Sequence, residues 1–256
     1  MTSYPNIKIN LGLRVLRRRP DGYHDLETLF VPCDAYRDEL EINEYDGSDG
    51  DVRISIANCG WDPYSDLTVK AYRLLKSDFP DLPPVEIRLV KNSPVGAGLG
   101  GGSADCAFAL RMTSDLFGLG LSDDALASYA ACLGSDCAFF VYNRPMFAEG
   151  RGEILTDYPV ALEDYDIRVG IPDEVHVSTR EAYGGIVPRE NGSVTLRDVL
   201  ALPVEDWRDS LVNDFETTVF AVHPEIAALK QKFYEDGAVY AAMSGSGSAV
   251  FGLFRK

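Results

Sequence analysis

The sequence predicts an α+β fold, and three observations carry that reading. Short runs of alternating apolar and polar residues read as half-buried strands, while other stretches place apolar residues at helical spacing. The two kinds do not take turns in the regular strand–helix rhythm of a doubly wound parallel sheet. A length of 256 residues suffices for one large domain or two modest ones, each burying its own core.

The first element is Ile7-Lys8-Ile9-Asn10-Leu11-Gly12-Leu13. Ile7, Ile9, Leu11 and Leu13 share one face of a strand, which leaves Lys8 and Asn10 on the other. Pro20-Asp21-Gly22 has turn chemistry, so the chain reverses there before a strand over 26–31. Strands follow over 40–43 and 52–57, separated by the polar turn 46–51. Residues 67–79 have helical spacing that ends at Pro80, and 85–90 alternates again as a strand. The loop 94–102 leads into a helix over about 103–116. A second helix spans 122–133, with Ser122 as N-cap and Asp123-Asp124 in its first turn. Strands are expected over 138–142 and 146–148, on either side of a turn. The proline-containing stretch 156–165 is irregular and suggests a boundary, giving domains 1–157 and 158–256. The second begins with a strand over 166–171, a helix over 178–183 and a loose region to about 194. Helices over 207–222 and 224–235 come next, with Pro224 at a tolerated first-turn position. The chain closes with a strand over 239–243, a glycine turn over 244–248 and a strand over 249–254.

Composition excludes some classes of function. Apolar residues make up 46% and charged residues 25%, as in ordinary globular proteins. No stretch approaches the roughly 20 apolar residues of a membrane span, and Met1–Pro5 does not open a secretory leader. The five cysteines, Cys33, Cys59, Cys106, Cys132 and Cys137, show no metal-binding spacing and read as free thiols of a reducing cytoplasm. A net charge of −16 argues against partners such as nucleic acid or anionic membrane. The main basic run, Arg17-Arg18-Arg19, reads as a solvated turn.

Pro94-Val95-Gly96-Ala97-Gly98-Leu99-Gly100-Gly101-Gly102-Ser103-Ala104 holds the strongest functional signal. Glycine at this density costs conformational entropy, and close approach of main chain to a ligand offsets that cost. Successive N–H groups without Cβ atoms wrap an anion, and the helix that follows aims its unpaired N–H groups at the same point. The Ser103 hydroxyl either caps that helix or meets Mg²⁺ or a phosphate oxygen. No Gly-Lys-Ser/Thr follows, so this is not a Walker loop. The formal Gly96-x-Gly98-x-x-Gly101 match to a dinucleotide fingerprint lacks the acidic residue at the end of a second strand.

With Lys8-Ile9-Asn10-Leu11, Arg19-Pro20-Asp21-Gly22-Tyr23-His24 and Leu133-Gly134-Ser135-Asp136, this loop resembles the GHMP kinases. Phe147–Glu153, Asn213-Asp214-Phe215-Glu216 and Ser244-Gly245-Ser246-Gly247-Ser248 extend the resemblance along nearly the whole chain. Within the family, the Asp-Gly-Tyr-His segment points to the branch that phosphorylates the 2-hydroxyl of 4-diphosphocytidyl-2-C-methyl-D-erythritol, in non-mevalonate isoprenoid synthesis. The resemblance implies a two-domain α+β fold, an N-terminal sheet-and-helix domain and a C-terminal ferredoxin-like sandwich. It implies ATP as co-substrate, Mg²⁺ whose protein ligands are not identified, and a monomer or homodimer. Ala104 stands where relatives often have a second serine, and the chain is somewhat short for the family.

By the same resemblance Pro94–Ala104 binds ATP, Asp136 is the base and Lys8 stands beside it. Asn10 contacts substrate or Asp136, His24 meets the cytosine, and Tyr23 and Tyr183 sandwich it. Taken alone, Asp136 is a cap, Lys8 and Asn10 are exposed strand residues and Tyr183 is a packing residue. Asp214 and Glu216 cap or brace a helix, and His176 and His223 read as structural. Two alternatives stay open: a GHMP kinase acting on another alcohol, and a nucleotide-binding regulator without catalysis.

Overall fold

The computed structural model describes residues 1–188 and 194–256. The end of the loose region expected up to 194 lies outside the described residues. In chain order the strands are β1 (Thr2–Ser3), β2 (Asn6–Arg18), β3 (His24–Arg37), β4 (Glu39–Glu44), β5 (Val52–Ala57) and β6 (Val85–Val90). They continue with β7 (Met146–Glu149), β8 (Ile154–Asp157), β9 (Tyr165–Gly170), β10 (Tyr240–Met243) and β11 (Val250–Arg255). The helices are α1 (Leu67–Asp78), α2 (Gly101–Leu116), α3 (Asp123–Ala131) and α4 (Cys137–Tyr142). The last four are α5 (Thr179–Gly184), α6 (Leu196–Leu200), α7 (Phe215–Val222) and α8 (Pro224–Glu235).

The chain divides into two compact units, which it enters and leaves several times. One comprises Met1–Ile7, Tyr36–Val95 and Gly100–Arg144. Its sheet has the order β1-β4-β6-β5, antiparallel except for the parallel pair β5–β6. Over β4 lies α2, which also packs against α1, α3 and α4. Seven of the ten residues from Gly101 to Leu110 are buried, as a helix at the centre of a layer requires. The α3 start is as expected: Ser122 accepts from the Ala125 N–H and two aspartates occupy the first turn.

The other unit comprises Lys8–Ala35, Gly96–Leu99 and Pro145–Lys256. It holds a sheet of order β2-β3-β7-β8 and an antiparallel sheet β10-β11-β9, on which α8 packs. Leu13 and Val15 of β2 join Phe215, Val219, Ile226, Met243 and Val250 in one core cluster. Burying each such side chain contributes about 1.5–3 kcal/mol.

Three expectations need correction. Residues 138–142 form the helix α4 rather than a strand, because a short unbroken apolar run fits a buried helix as well as a strand. Its end is set by Asn143, at φ 48°. The helix expected from 207 begins only at Phe215, since Trp207 ends a 3₁₀ turn instead. Within 156–165, residues to Asp157 belong to β8. Helix α6, not anticipated, is started by a capping box in which Thr195 and Asp198 satisfy each other's main-chain N–H groups.

Candidate active site

The polar face of β2 is not solvated. Lys8 is 3% exposed and Asn10 2%. Burying an ammonium demands oxygen partners. Lys8 Nζ donates to Asn10 Oδ1 at 2.6 Å and to the Gly98 carbonyl at 2.9 Å. It also lies 5.1 Å from the centroid of the Phe30 ring. Asn10 Nδ2 donates to Thr28 Oγ1, whose hydroxyl donates in turn to the Gly12 carbonyl. The expected exposed strand face is thus a buried polar network aimed at the glycine loop, and Asn10 serves in it as an acceptor for Lys8.

The Gly96–Leu99 part of the loop is fixed by main-chain contacts. Ala249 N–H donates to the Ala97 carbonyl, and Lys8 N–H to the Leu99 carbonyl. Ala97 and Leu99 are buried while Val95 is 56% exposed. Gly98 has φ 78°, and a Cβ there would fall on the Ser244 carbonyl oxygen, with Gly247 N at 3.2 Å. Reciprocally, a Cβ on Gly245 would lie 3.0 Å from the Gly98 oxygen. The loop and the 244–248 turn therefore touch backbone to backbone, which only glycine permits. Ser244 Oγ reaches the Gly98 carbonyl at 3.1 Å and Asn10 Oδ1 at 3.3 Å.

The rest of the loop opens α2. The helix starts two residues earlier than expected, and its cap is Gly100 at φ 73°, which makes no side-chain cap bond. Its first N–H groups therefore have no side-chain oxygen from the cap, and a Cβ on Gly102 would meet nothing within 4 Å. Ser103 is not the cap. Hydrogen bonding with Cys106, and then with Ser103, draws the Cys137 thiol below its ordinary value against the effect of burial.

In the same unit Asp136 holds the N-cap position of α4 without making a cap hydrogen bond, so capping does not account for it. Beneath α2, Lys91 donates to Asp38 and, at 2.5 Å, to Asp105 Oδ2. Asp38 Oδ1 accepts from the Asn92 and Ser93 N–H groups, each at 2.6 Å. Burial opposes ionisation of Asp38, but Lys91 and Ser93 hold its carboxyl below the usual range. Burial likewise opposes a charged Lys91, yet Asp105 and Asp38 keep the amine raised.

At the tip of the β2–β3 hairpin Tyr23 is 58% exposed, with the Arg151 guanidinium 5.0 Å from its ring centroid. Tyr183 stacks on His24, ring centroids 4.7 Å apart, and meets Phe215 edge-on. The structure thus brings His24, rather than Tyr23, against Tyr183. Burial and the nearby Arg18 push the His24 imidazole below its ordinary value, so the ring is neutral at pH 7. His223 is satisfied by Glu181 at 2.9 Å, as expected of a structural histidine.

The Asn213-Asp214-Phe215-Glu216 motif, with its two acids expected to cap or brace a helix, has partners that the sequence did not reveal. Asn213 Nδ2 donates to the Met243 and Gly245 carbonyls, both at 2.8 Å, and its Oδ1 accepts from Phe215 N–H. Asp214 accepts from Val15 N–H, and Glu216 accepts from Met243 N–H and Lys230. Neither acid caps α7: Asp214 holds β2, and Glu216 ties β10 to α8, the bracing of a helix that was expected. The signal for them was the Asn-Asp-Phe-Glu motif itself; their partners are far away in the chain.

The family model for the GHMP kinases N terminal domain matches residues 66–144, and that for the GHMP kinases C terminal region matches 201–256. A 4-diphosphocytidyl-2-C-methyl-D-erythritol kinase of Bacteroides thetaiotaomicron is 48% identical, over 99% of this chain and 92% of its own. The chain belongs to the GHMP kinase family. Another relative of this GHMP kinase, a protein of the same name from Porphyromonas gingivalis, is 43% identical over 100% of this chain and 93% of its own. The crystal structure of a 4-(cytidine 5'-diphospho)-2C-methyl-D-erythritol kinase superimposes with a TM-score of 0.84. It is 30% identical, covering 99% of this chain and 90% of that one. A mevalonate kinase, 12% identical with a TM-score of 0.74 over 100% of this chain and 91% of its own, shares the two-domain α+β fold of this GHMP kinase. No helix among the described residues is long and apolar enough to cross a membrane.

Proposed function

We propose that this GHMP kinase transfers the γ-phosphoryl group of ATP to the 2-hydroxyl of 4-diphosphocytidyl-2-C-methyl-D-erythritol, a step in non-mevalonate isoprenoid precursor synthesis. The observation that carries this reading is 48% identity, over 99% of the chain, to a relative of that name.

Residues 94–104 hold the triphosphate. The uncapped first turn of α2 and the open space beside Gly102 support this, since both leave main-chain N–H groups to an anion. Mg²⁺ bound with the nucleotide would supply neutralisation of phosphate charge. Asp136 accepts the proton as the 2-hydroxyl oxygen bonds to the γ-phosphorus and the bond to the departing ADP oxygen breaks. Lys8, anchored on Asn10 and Gly98, orients the alcohol and counters charge on the transferring group. Tyr23, exposed at the hairpin tip, takes a face of the cytosine, and Tyr183 backs the site through the His24 ring stacked on it. His24, neutral at pH 7, offers one donor and one acceptor to the base edge. A stacked ring supplies about 1–3 kcal/mol. The need for ATP supports a cytoplasmic place of work.

A coupled ADP-release assay tests the reading. Turnover is expected with 4-diphosphocytidyl-2-C-methyl-D-erythritol and not with mevalonate or homoserine. Turnover with either of the latter alone would assign another member of the family.

A further inference from the structure

The Asp38–Lys91–Asp105 cluster is costly by any physical estimate. All three side chains are buried, at 1%, 5% and 2% exposure. Removing two carboxylates and an ammonium from water carries a penalty of several kcal/mol per ion, and apolar side chains of similar volume usually serve stability as well or better. The second oxygen of Asp105, Oδ1, is buried without a hydrogen-bond partner among the described residues. A cluster kept despite this has a reason in its position.

Its position is beneath the start of α2. A Cβ on Gly101 would fall on Ser93 Oγ, so only a bare main chain lets Ser93 sit against the first turn, and Lys91 Nζ lies 3.5 Å from the same point. Through Asp38 the same ammonium is tied to the N–H groups of Asn92 and Ser93, where the chain leaves β6. Through Asp105 it is tied to the second turn of α2. Both flanks of the glycine loop are thus pinned to one charge. That charge adds to the positive end of the helix where an anion would bind.

We infer that Lys91, clamped by Asp38 and Asp105, is a positioning residue for the nucleotide phosphates, setting the first turn of α2 and reinforcing its field. The inference rests on the ATP-binding reading of the glycine loop. Asp105 acts with it as a silent partner. Burial, together with repulsion from Asp38 and Asp66 and against the attraction of Lys91, pushes its carboxyl up to about 8. At pH 7 it is therefore mainly neutral, so Asp38 alone pairs with the ammonium and Asp105 adds no negative charge at the helix start.

The test is ATP affinity by titration calorimetry on the whole protein, with steady-state kinetics alongside. Lys91→Met is expected to weaken ATP binding by about fivefold or more, the size of a partly buried charge at a helix end. The KM for the cytidine substrate should stay within about twofold, and Lys91→Arg should restore most of the loss. Asp105→Asn, which keeps the shape and cannot ionise, isolates the titration of Asp105 from its place in the clamp. Above pH 8 only the wild type should weaken, as Asp105 ionises. Should Lys91→Met not fold, Lys91→Arg and the pH profile of Asp105→Asn still decide the matter. Unchanged ATP affinity in Lys91→Met, or a wild type and Asp105→Asn that weaken alike above pH 8, would overturn the inference. A wild type that binds ATP but does not turn over the cytidine substrate would instead remove the substrate assignment and leave this inference standing.

Discussion

Lys8 has two oxygen partners that fix its ammonium, Asn10 Oδ1 and the Gly98 carbonyl, and a Phe30 ring nearby. A cation held this way has little freedom, which is what a group that meets developing phosphoryl charge requires. Asp136 is the complementary case, a carboxylate at a helix start that makes no cap bond. Replacing it with asparagine removes the proton acceptor and keeps the shape. We expect kcat to fall by about 10²–10⁴ while ATP affinity changes little, measured by steady-state kinetics and calorimetry. At this scale the sequence was partly legible. The motifs named Lys8, Asn10 and Asp136, but the alternation of β2 put Lys8 and Asn10 on an open face, whereas both are buried. Alternation reports which residues share a face; it does not report what covers that face.

The turn between β10 and β11 is anchored by the Asn213 amide as well as by its own main-chain bonds. Asn213 holds two of its carbonyls and caps the chain into α7 through Phe215 N–H. Asn213→Ala would strand these buried groups and cost about 2–3 kcal/mol, read from urea unfolding at constant m-value. Activity should fall with it, since the turn touches Gly98. Elements with strong local signals were legible: β5, β6, α1 and α8 lie where periodicity and proline placed them. The start of α3 followed from Ser122 and its two aspartates. The failures came where the local signal was degenerate. The Cys-Ala-Phe-Phe-Val-Tyr run of α4 has no polar residue to set a period, and five of its six residues are buried. The clamp of Asn213 was illegible because its bonds span 30 and 32 residues.

At the scale of the molecule a net charge of −16 surrounds a site proposed to bind anions. Stopped-flow mixing should show the association rate with ATP rising as salt increases from about 20 to about 200 mM, as long-range repulsion is screened. A falling rate would show that local fields at the loop prevail. Stability also carries a pH signature. Asp105 has a folded value of about 8 against an ordinary 3.8, so its contribution is full below the ordinary value and is lost as pH rises through 8. The melting temperature of the wild type should therefore decline relative to Asp105→Asn between about pH 4 and pH 8, then run parallel. The meeting of Gly98 with Ser244 and Gly245 joins stretches 146 residues apart by main-chain contact, with the Ser244 hydroxyl bonded to the Gly98 carbonyl. A saturation library scored on growth would consequently show blank columns at positions 98 and 245, indistinguishable from those of reactive groups. Neither codon encodes any chemistry, so only an assay of folded yield would tell the two kinds of intolerance apart.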